Sequence, residues 1–190
     1  MNPNFYLIEP NIFGPNDVIE ERIIKIFHYI SRLTEAGDDV ESIRYHLDQL
    51  EFIPLINFWL CNSSFREMVK NFLGSPEEVF IKYIRYRSPP HKRGAQKFHR
   101  DWHKRPQSKR IEVFIALNNS LKSNGATEVI DVDNRRVIPE ILKGGLLAID
   151  SSAVHRGRNN QSGEPRQIIS FQLGAKLYEG EEYVYKLQLN

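Results

Sequence analysis

Residues 143–173, KGGLLAIDSSAVHRGRNNQSGEPRQIISFQL, hold one β-rich run and the start of a second, with no helix between them. LLAIDSS (146–152) and QIISFQLGAKLY (167–178) are rich in branched and aliphatic residues and are bounded by Gly, Asn, Ser and Pro, the pattern of strands closed by turns. The same texture recurs in VFIKYIRYR (79–87), IEVFIALN (111–118), ATEVIDV (126–132) and EYVYKLQL (182–189). FHRDWH (98–103) adds a further short strand or strand end. About seven short strands without intervening helices predict an antiparallel sandwich or barrel rather than a parallel sheet.

Before Pro76 the period is nearer 3.6. Asp17 with Glu20 forms a capping-box pattern ahead of Ile23, Ile24, Phe27, Ile30 and Leu33, and Gly37 closes that helix. Asp38 with Glu41 repeats the signal before Ile43, Leu47 and Leu50, and Ser64 with Glu67 does so before Met68, Phe72 and Gly74. Pro54 interrupts the apolar stretch LEFIPLINFWL. The 190 residues suit one domain, with helical support at 1–75 lying against one outer face of a β core at 76–190.

A hydrophobic fraction of 41% and a charged fraction of 26% are ordinary for a globular chain and argue against general disorder. The lone cysteine, Cys61, cannot pair within the chain, which favours a reducing, cytoplasmic setting. No apolar run is long enough to cross a bilayer, and MNPNFYLIEP lacks the pattern of an export leader, so no membrane partner is expected. The net charge of +2 is unevenly spread: Lys82 to Arg110 carries eleven Lys or Arg and one acid, Asp101. Such a run is either a set of solvated strand-edge charges or an attractor for an anionic or carrier-bound small-molecule substrate.

Within FHRDWH, strand alternation points His99 and Asp101 to one side and Arg100 and Trp102 to the other. An imidazole and a carboxylate two residues apart can reach one ion, and a second histidine completes the 2-His-1-carboxylate triad of non-haem Fe(II) sites. His155, fifty-six residues on, is the natural third ligand, although an H-x-D pattern is common and His155 could be a loop histidine beside Arg156 and Arg158. Arg166 follows His155 by eleven residues and opens the next strand, where its planar fork can bind a carboxylate bidentately. A dicarboxylic cosubstrate fits this spacing, with one end on the metal and the other on the arginine.

On these residues the chain resembles the phytanoyl-CoA dioxygenase-like branch of the Fe(II)/2-oxoglutarate-dependent oxygenases, over roughly residues 79–175. AQKFHRDWH is similar to the family's Q-x-x-H-x-D-W segment, NGATEVIDV to its N-G-x-x-x-V-I-P strand, and residues 143–173 to its closing segment with a distal histidine, Asn160 and the cosubstrate arginine. The resemblance implies a double-stranded β-helix, the cupin-like jelly roll, in which His99, Asp101 and His155 bind Fe(II) and Arg166 holds the far carboxylate of 2-oxoglutarate. It further implies reaction with molecular oxygen and release of succinate and carbon dioxide. Related halogenases lack the carboxylate ligand, so Asp101 favours hydroxylation or another oxidation over halogenation.

The family's serine two residues after the distal histidine is Gly157 in this chain, and DVDNRR replaces its P-G-S-H. Ser170 is placed to substitute for that serine, Gln96 to line the pocket, and one of Tyr83, Lys82 or Arg85 to contact the cosubstrate. His103 continues the alternation of His99 and Asp101, but a fourth protein ligand would fill a position that cosubstrate or oxygen needs. His28 and His46 read as surface or core-edge residues. Two other classes stay open: a cupin-like metal protein independent of 2-oxoglutarate, and a non-catalytic module binding anions or nucleic acid through the basic segment. A module without catalysis has no need of all three ligands, which weighs against nucleic acid as a partner.

Overall fold

A computed structural model of the chain describes residues 5–8, 62–87, 94–101, 109–181, 183 and 185–189. The helices expected from Asp17 and Asp38, the LEFIPLINFWL stretch, Trp102 and His103 lie outside the described residues. The described part is built from strands β1 (Phe5–Ile8), β2 (Glu78–Arg87), β3 (Arg110–Ala116), β4 (Thr127–Ile130), β5 (Arg136–Val137), β6 (Leu146–Asp150), β7 (His155–Gly157), β8 (Ile168–Gly174) and β9 (Tyr185–Gln188). One α-helix, α1 (Ser63–Leu73), precedes β2. Among the described residues no helix is long and apolar enough to cross a membrane.

The strands form a six-stranded sheet in the order β1-β6-β3-β8-β2-β9 and a three-stranded sheet in the order β5-β4-β7, and every pairing is antiparallel. From β3 onward the chain crosses to the small sheet for β4 and β5, returns for β6, crosses again for β7 and returns for β8. Apart from the β4–β5 hairpin, hydrogen-bonded partners are therefore distant in sequence, as in a jelly roll.

Alternation along β3 sets the layers. Phe114 and Ala116 join Leu147, Ile149, Ile168, Val129, Ile141 and Ala153 in one buried cluster, with Phe5 packed against it. The opposite face, Ile111, Val113 and Ile115, is fully buried too, and α1 packs against β3. Helix α1 is capped by Asn62, whose Oδ1 accepts from Phe65 N at 3.0 Å, rather than by the expected Ser64–Glu67 pair; Gly74 ends it as expected, in the left-handed region.

Other departures from expectation have local causes. Phe5–Ile8, in the half read as helical, pairs with β6 through Phe5↔Ile149. The run 126–132 stops at Ile130 because Asp131 Oδ1 accepts from Asp133 N and Arg135 N, turning the chain into β5. In β2, Ile81 faces Leu173 and Ile84 faces Phe171, so Lys82 and Tyr83 together oppose Gln172. This bulge breaks the simple alternation expected along IKYIRYR.

Gly125 sits between a 3₁₀ turn, Lys122–Asn124, and β4, with φ of 90°. A Cβ there would stand 2.9 Å from the Arg158 carbonyl oxygen, whereas one at Gly74, with φ of 84°, would meet nothing within 4 Å. Gly74→Ala should therefore cost only the left-handed strain of about 1–2 kcal/mol. Gly125→Ala should cost measurably more than Gly74→Ala in chemical denaturation, because the backbone it meets leads directly out of β7.

Candidate metal centre

The segment 94–101 runs extended beside the small sheet. His99 and His155 form an antiparallel bridge, each amide donating to the other's carbonyl at 2.9 Å. Three residues earlier, Gln96 N donates to Gly157 O at 3.0 Å. β7 is held in turn by β4 through Val129↔His155 and Thr127↔Gly157. The two histidines are thus direct cross-strand neighbours, with ring centroids 4.5 Å apart and planes at 50°.

Asp101 lies on the same side, as alternation requires. Its Oδ1 is 3.6 Å from His99 Nε2 and its Oδ2 is 3.2 Å from His155 Nε2. One donor atom from each of the three residues lies within 4.8 Å of the others, close enough to share an ion. His99 Nδ1 donates to Lys97 O at 2.9 Å and His155 Nδ1 to Ala153 O at 3.1 Å. A carbonyl can only accept, so both Nδ1 atoms carry a proton and both Nε2 atoms face Asp101, the position at which His155 shares its second proton with the carboxylate when charged and offers a lone pair when neutral. His155 is buried at 4% exposure, while 35% of the His99 side chain is open, so the site is walled by β7 and accessible past His99.

Burial lowers the proton affinity of His155, but the hydrogen bond and charge of Asp101, the Ala153 carbonyl and the charge of Glu112 outweigh it and raise its pKa above the ordinary histidine value of 6.5. Glu112, fully buried on the Phe114 face of β3, accepts a short hydrogen bond from the Tyr83 hydroxyl. Tyr83 and Glu112 thus join two strands of the large sheet through their side chains.

Arg166 is buried at 6% exposure and its Nη1 donates to Thr127 Oγ1 at 3.1 Å. Asn118 brackets it, donating from Nδ2 to Pro165 O and accepting from Gln167 N. Asn160 shapes the preceding loop, its Nδ2 donating to Glu164 O and its Oδ1 accepting from Ser162 N. Gly157 N donates to Gln96 Oε1 at 2.9 Å, and a Cβ on Gly157 would lie 3.0 Å from that oxygen and 3.7 Å from Arg166 Nη2. The space a serine side chain would need at 157 is therefore taken by Gln96. Ser170, opposite Phe114, is fully buried and its Oγ has no hydrogen-bond partner among the described residues.

Sequence reasoning missed Thr127, Asn118 and Glu112. Alternation could have flagged Thr127, which shares a face with Val129, and Glu112, which shares one with Phe114. The basic segment is largely engaged where it is described. Lys82 Nζ and Arg110 Nη2 both meet Glu181 Oε2, at 3.3 and 2.6 Å, and Arg100 donates to Ser152 O.

The sequence matches no protein-family model and no curated protein. Solved structures do resemble it. AviO1 from Streptomyces viridochromogenes Tue57 superposes with a TM-score of 0.66 at 16% identity, covering 94% of this chain and 91% of that one. EvdMO1 gives 0.67 at 20% identity, over 90% of this chain but 47% of its own. SnoN, the non-haem α-ketoglutarate-dependent epimerase of nogalamycin biosynthesis, gives 0.64 at 12% identity, over 90% and 77%. A SnoN structure in complex with Fe3+, α-ketoglutarate and nogalamycin RO matches equally well, at 0.64. At these identities the likeness is one of fold.

In the metal-free chain the raised pKa of His155 stabilises the fold below the ordinary histidine range, and that contribution is lost as pH rises through the elevated folded value. A metal must displace the same proton. Affinity for Co(II), followed by its visible bands, should therefore rise as pH is raised through and above the ordinary histidine range. Asp101→Asn should weaken binding by at least about tenfold and reduce the pH dependence below neutrality, since the carboxylate raises the histidine and would also ligate the ion.

Proposed function

We propose that this chain is an Fe(II)- and 2-oxoglutarate-dependent oxygenase of the phytanoyl-CoA dioxygenase-like type, oxidising a small-molecule substrate with release of succinate and carbon dioxide. The observation that carries the reading is the buried Arg166 guanidinium, held on Thr127 beside Gly157 and two residues along β7 from the ligand His155. A triad alone would serve any metal protein. A fixed cation one β-pair away adds a second anchor, which a dicarboxylate with one end on the metal requires.

The donor set fits iron: two imidazoles whose Nδ1 atoms are held by backbone carbonyls and whose Nε2 atoms turn toward one carboxylate, with one donor atom from each residue within 4.8 Å of the others. Bound iron would supply the oxygen chemistry. His99, Asp101 and His155 would hold it. Arg166 would take the far carboxylate of 2-oxoglutarate. Gln96 stands where the family's serine side chain would project and Thr127 fixes the guanidinium, while the Ser170 hydroxyl offers a further polar contact from the same interior. Tyr83, through Glu112, bounds that interior rather than reaching out of it.

SnoN, with the same fold, is an epimerase that has been captured with Fe3+ and α-ketoglutarate, and that supports the cofactor assignment. For this chain the carboxylate ligand, present as Asp101, favours hydroxylation or another oxidation over halogenation. Lys82 and Arg110 share the Glu181 carboxylate, so those two cations of the basic segment are already partnered before any anionic or carrier-bound substrate arrives.

Anaerobic addition of Fe(II) and 2-oxoglutarate should give the weak visible charge-transfer band of the chelated complex. Arg166→Ala should retain Fe(II) while weakening 2-oxoglutarate by at least about tenfold, the weight of a lost charge-assisted bidentate contact. A wild-type chain that binds Fe(II) but shows neither the band nor any other sign of 2-oxoglutarate binding would overturn the assignment.

A further inference from the structure

The segment that carries His99 and Asp101 is not a full strand. Among the described residues its backbone attachments to the small sheet are the His99–His155 bridge and the Gln96–Gly157 bond. On the face opposite the ligands, however, its side chain Phe98 is engaged by two arginines. The Arg156 guanidinium carbon lies 4.3 Å from the Phe98 ring centroid, and that of Arg136 lies 5.4 Å away. Arg156 is itself fixed, its Nε donating to Glu128 Oε2 at 2.6 Å across the β4–β7 pair.

These contacts sit directly behind the metal ligands. Phe98 precedes His99 and Arg156 follows His155, so the ring and guanidinium meet on one face of the paired backbone as the imidazoles meet on the other. Arg136 reaches the same ring from β5, at the far edge of the small sheet. The Phe98 ring thus ties together the segment 94–101, β7 and β5, and Glu128 adds β4. An aliphatic side chain of similar volume would pack there but would not attract two cations, because the attraction comes from the negative face of the ring.

We propose that Phe98 is a positioning residue for the metal centre: the cation–π contacts of Arg156 and Arg136 hold the His99–Asp101 segment against β7, so that its two ligands are already in place when the ion arrives. The proposal rests on the metal-binding reading of His99, Asp101 and His155. When the clamp is weakened, the segment spends part of its time displaced from β7, and the apparent dissociation constant rises by the reciprocal of the docked fraction.

Co(II) titration of the metal-free full chain tests it, with amide exchange of the peptide containing His99 as a second reading. Phe98→Leu should raise the Co(II) dissociation constant on the order of three- to tenfold and speed exchange of the His99 amide, at unchanged global unfolding midpoint. Phe98→Tyr and Phe98→Trp should restore both values, and Arg156→Gln should reproduce the loss even if Phe98→Leu proves insoluble. Equal Co(II) affinity and exchange in wild type and Phe98→Leu would overturn the clamp, as would equal weakening by Leu and Tyr. A wild-type chain that binds no Co(II) would count against the metal reading instead. Exchange at His99 would then still decide the clamp: faster in Leu than in Tyr supports it, and equal rates refute it.

Discussion

The double hydrogen bond between His99 and His155 is the contact on which the rest of the site depends. Two residues that exchange both backbone hydrogen bonds in an antiparallel pair face one another at about 5.5 Å between Cα atoms, with side chains on one side. That single pairing turns two histidines fifty-six residues apart into neighbours whose rings lie 4.5 Å apart. Asp101 needs no separate device, because a strand returns to the same face every second residue.

Backbone also sets the chemistry of the two rings. In both histidines the Nδ1 proton goes to the carbonyl two residues earlier, Lys97 O for His99 and Ala153 O for His155. The tautomer is therefore set by backbone carbonyls, one in segment 94–101 and one in the turn before β7, and no side-chain partner has to be supplied. The large sheet contributes rigidity: β3 and β8 are buried on both faces, and Asn118 pins the chain on either side of Arg166 at the entrance to β8. Two independent scaffolds thus converge, the small sheet carrying the triad and the large sheet delivering the arginine.

Much of this was legible in the sequence, for physical reasons. The main strands of the large sheet are runs of β-branched and aromatic residues, and the His99–Asp101 pair follows from a period of two. Helix α1 was visible through its apolar spacing, but its first residue was misplaced, because Ser64 and Glu67 imitate a capping box while Asn62 supplies the cap. Strand β7 was hidden: three residues carry no periodicity, and its pairing with β4 and with segment 94–101 is set at long range. The bulge in β2 and the Tyr83–Glu112 bond are likewise tertiary outcomes. Gly157 looked like a missing serine, whereas in the structure Gln96 occupies the space that serine would take.

In the proposed centre His99, Asp101 and His155 bind one iron with two imidazoles and a carboxylate. X-ray absorption of the chain loaded anaerobically with one equivalent of Fe(II) tests it most directly. Outer-shell scattering from two imidazoles is expected, falling to one in His155→Ala. Scattering from no imidazole, or a spectrum unchanged by that substitution, would contradict it.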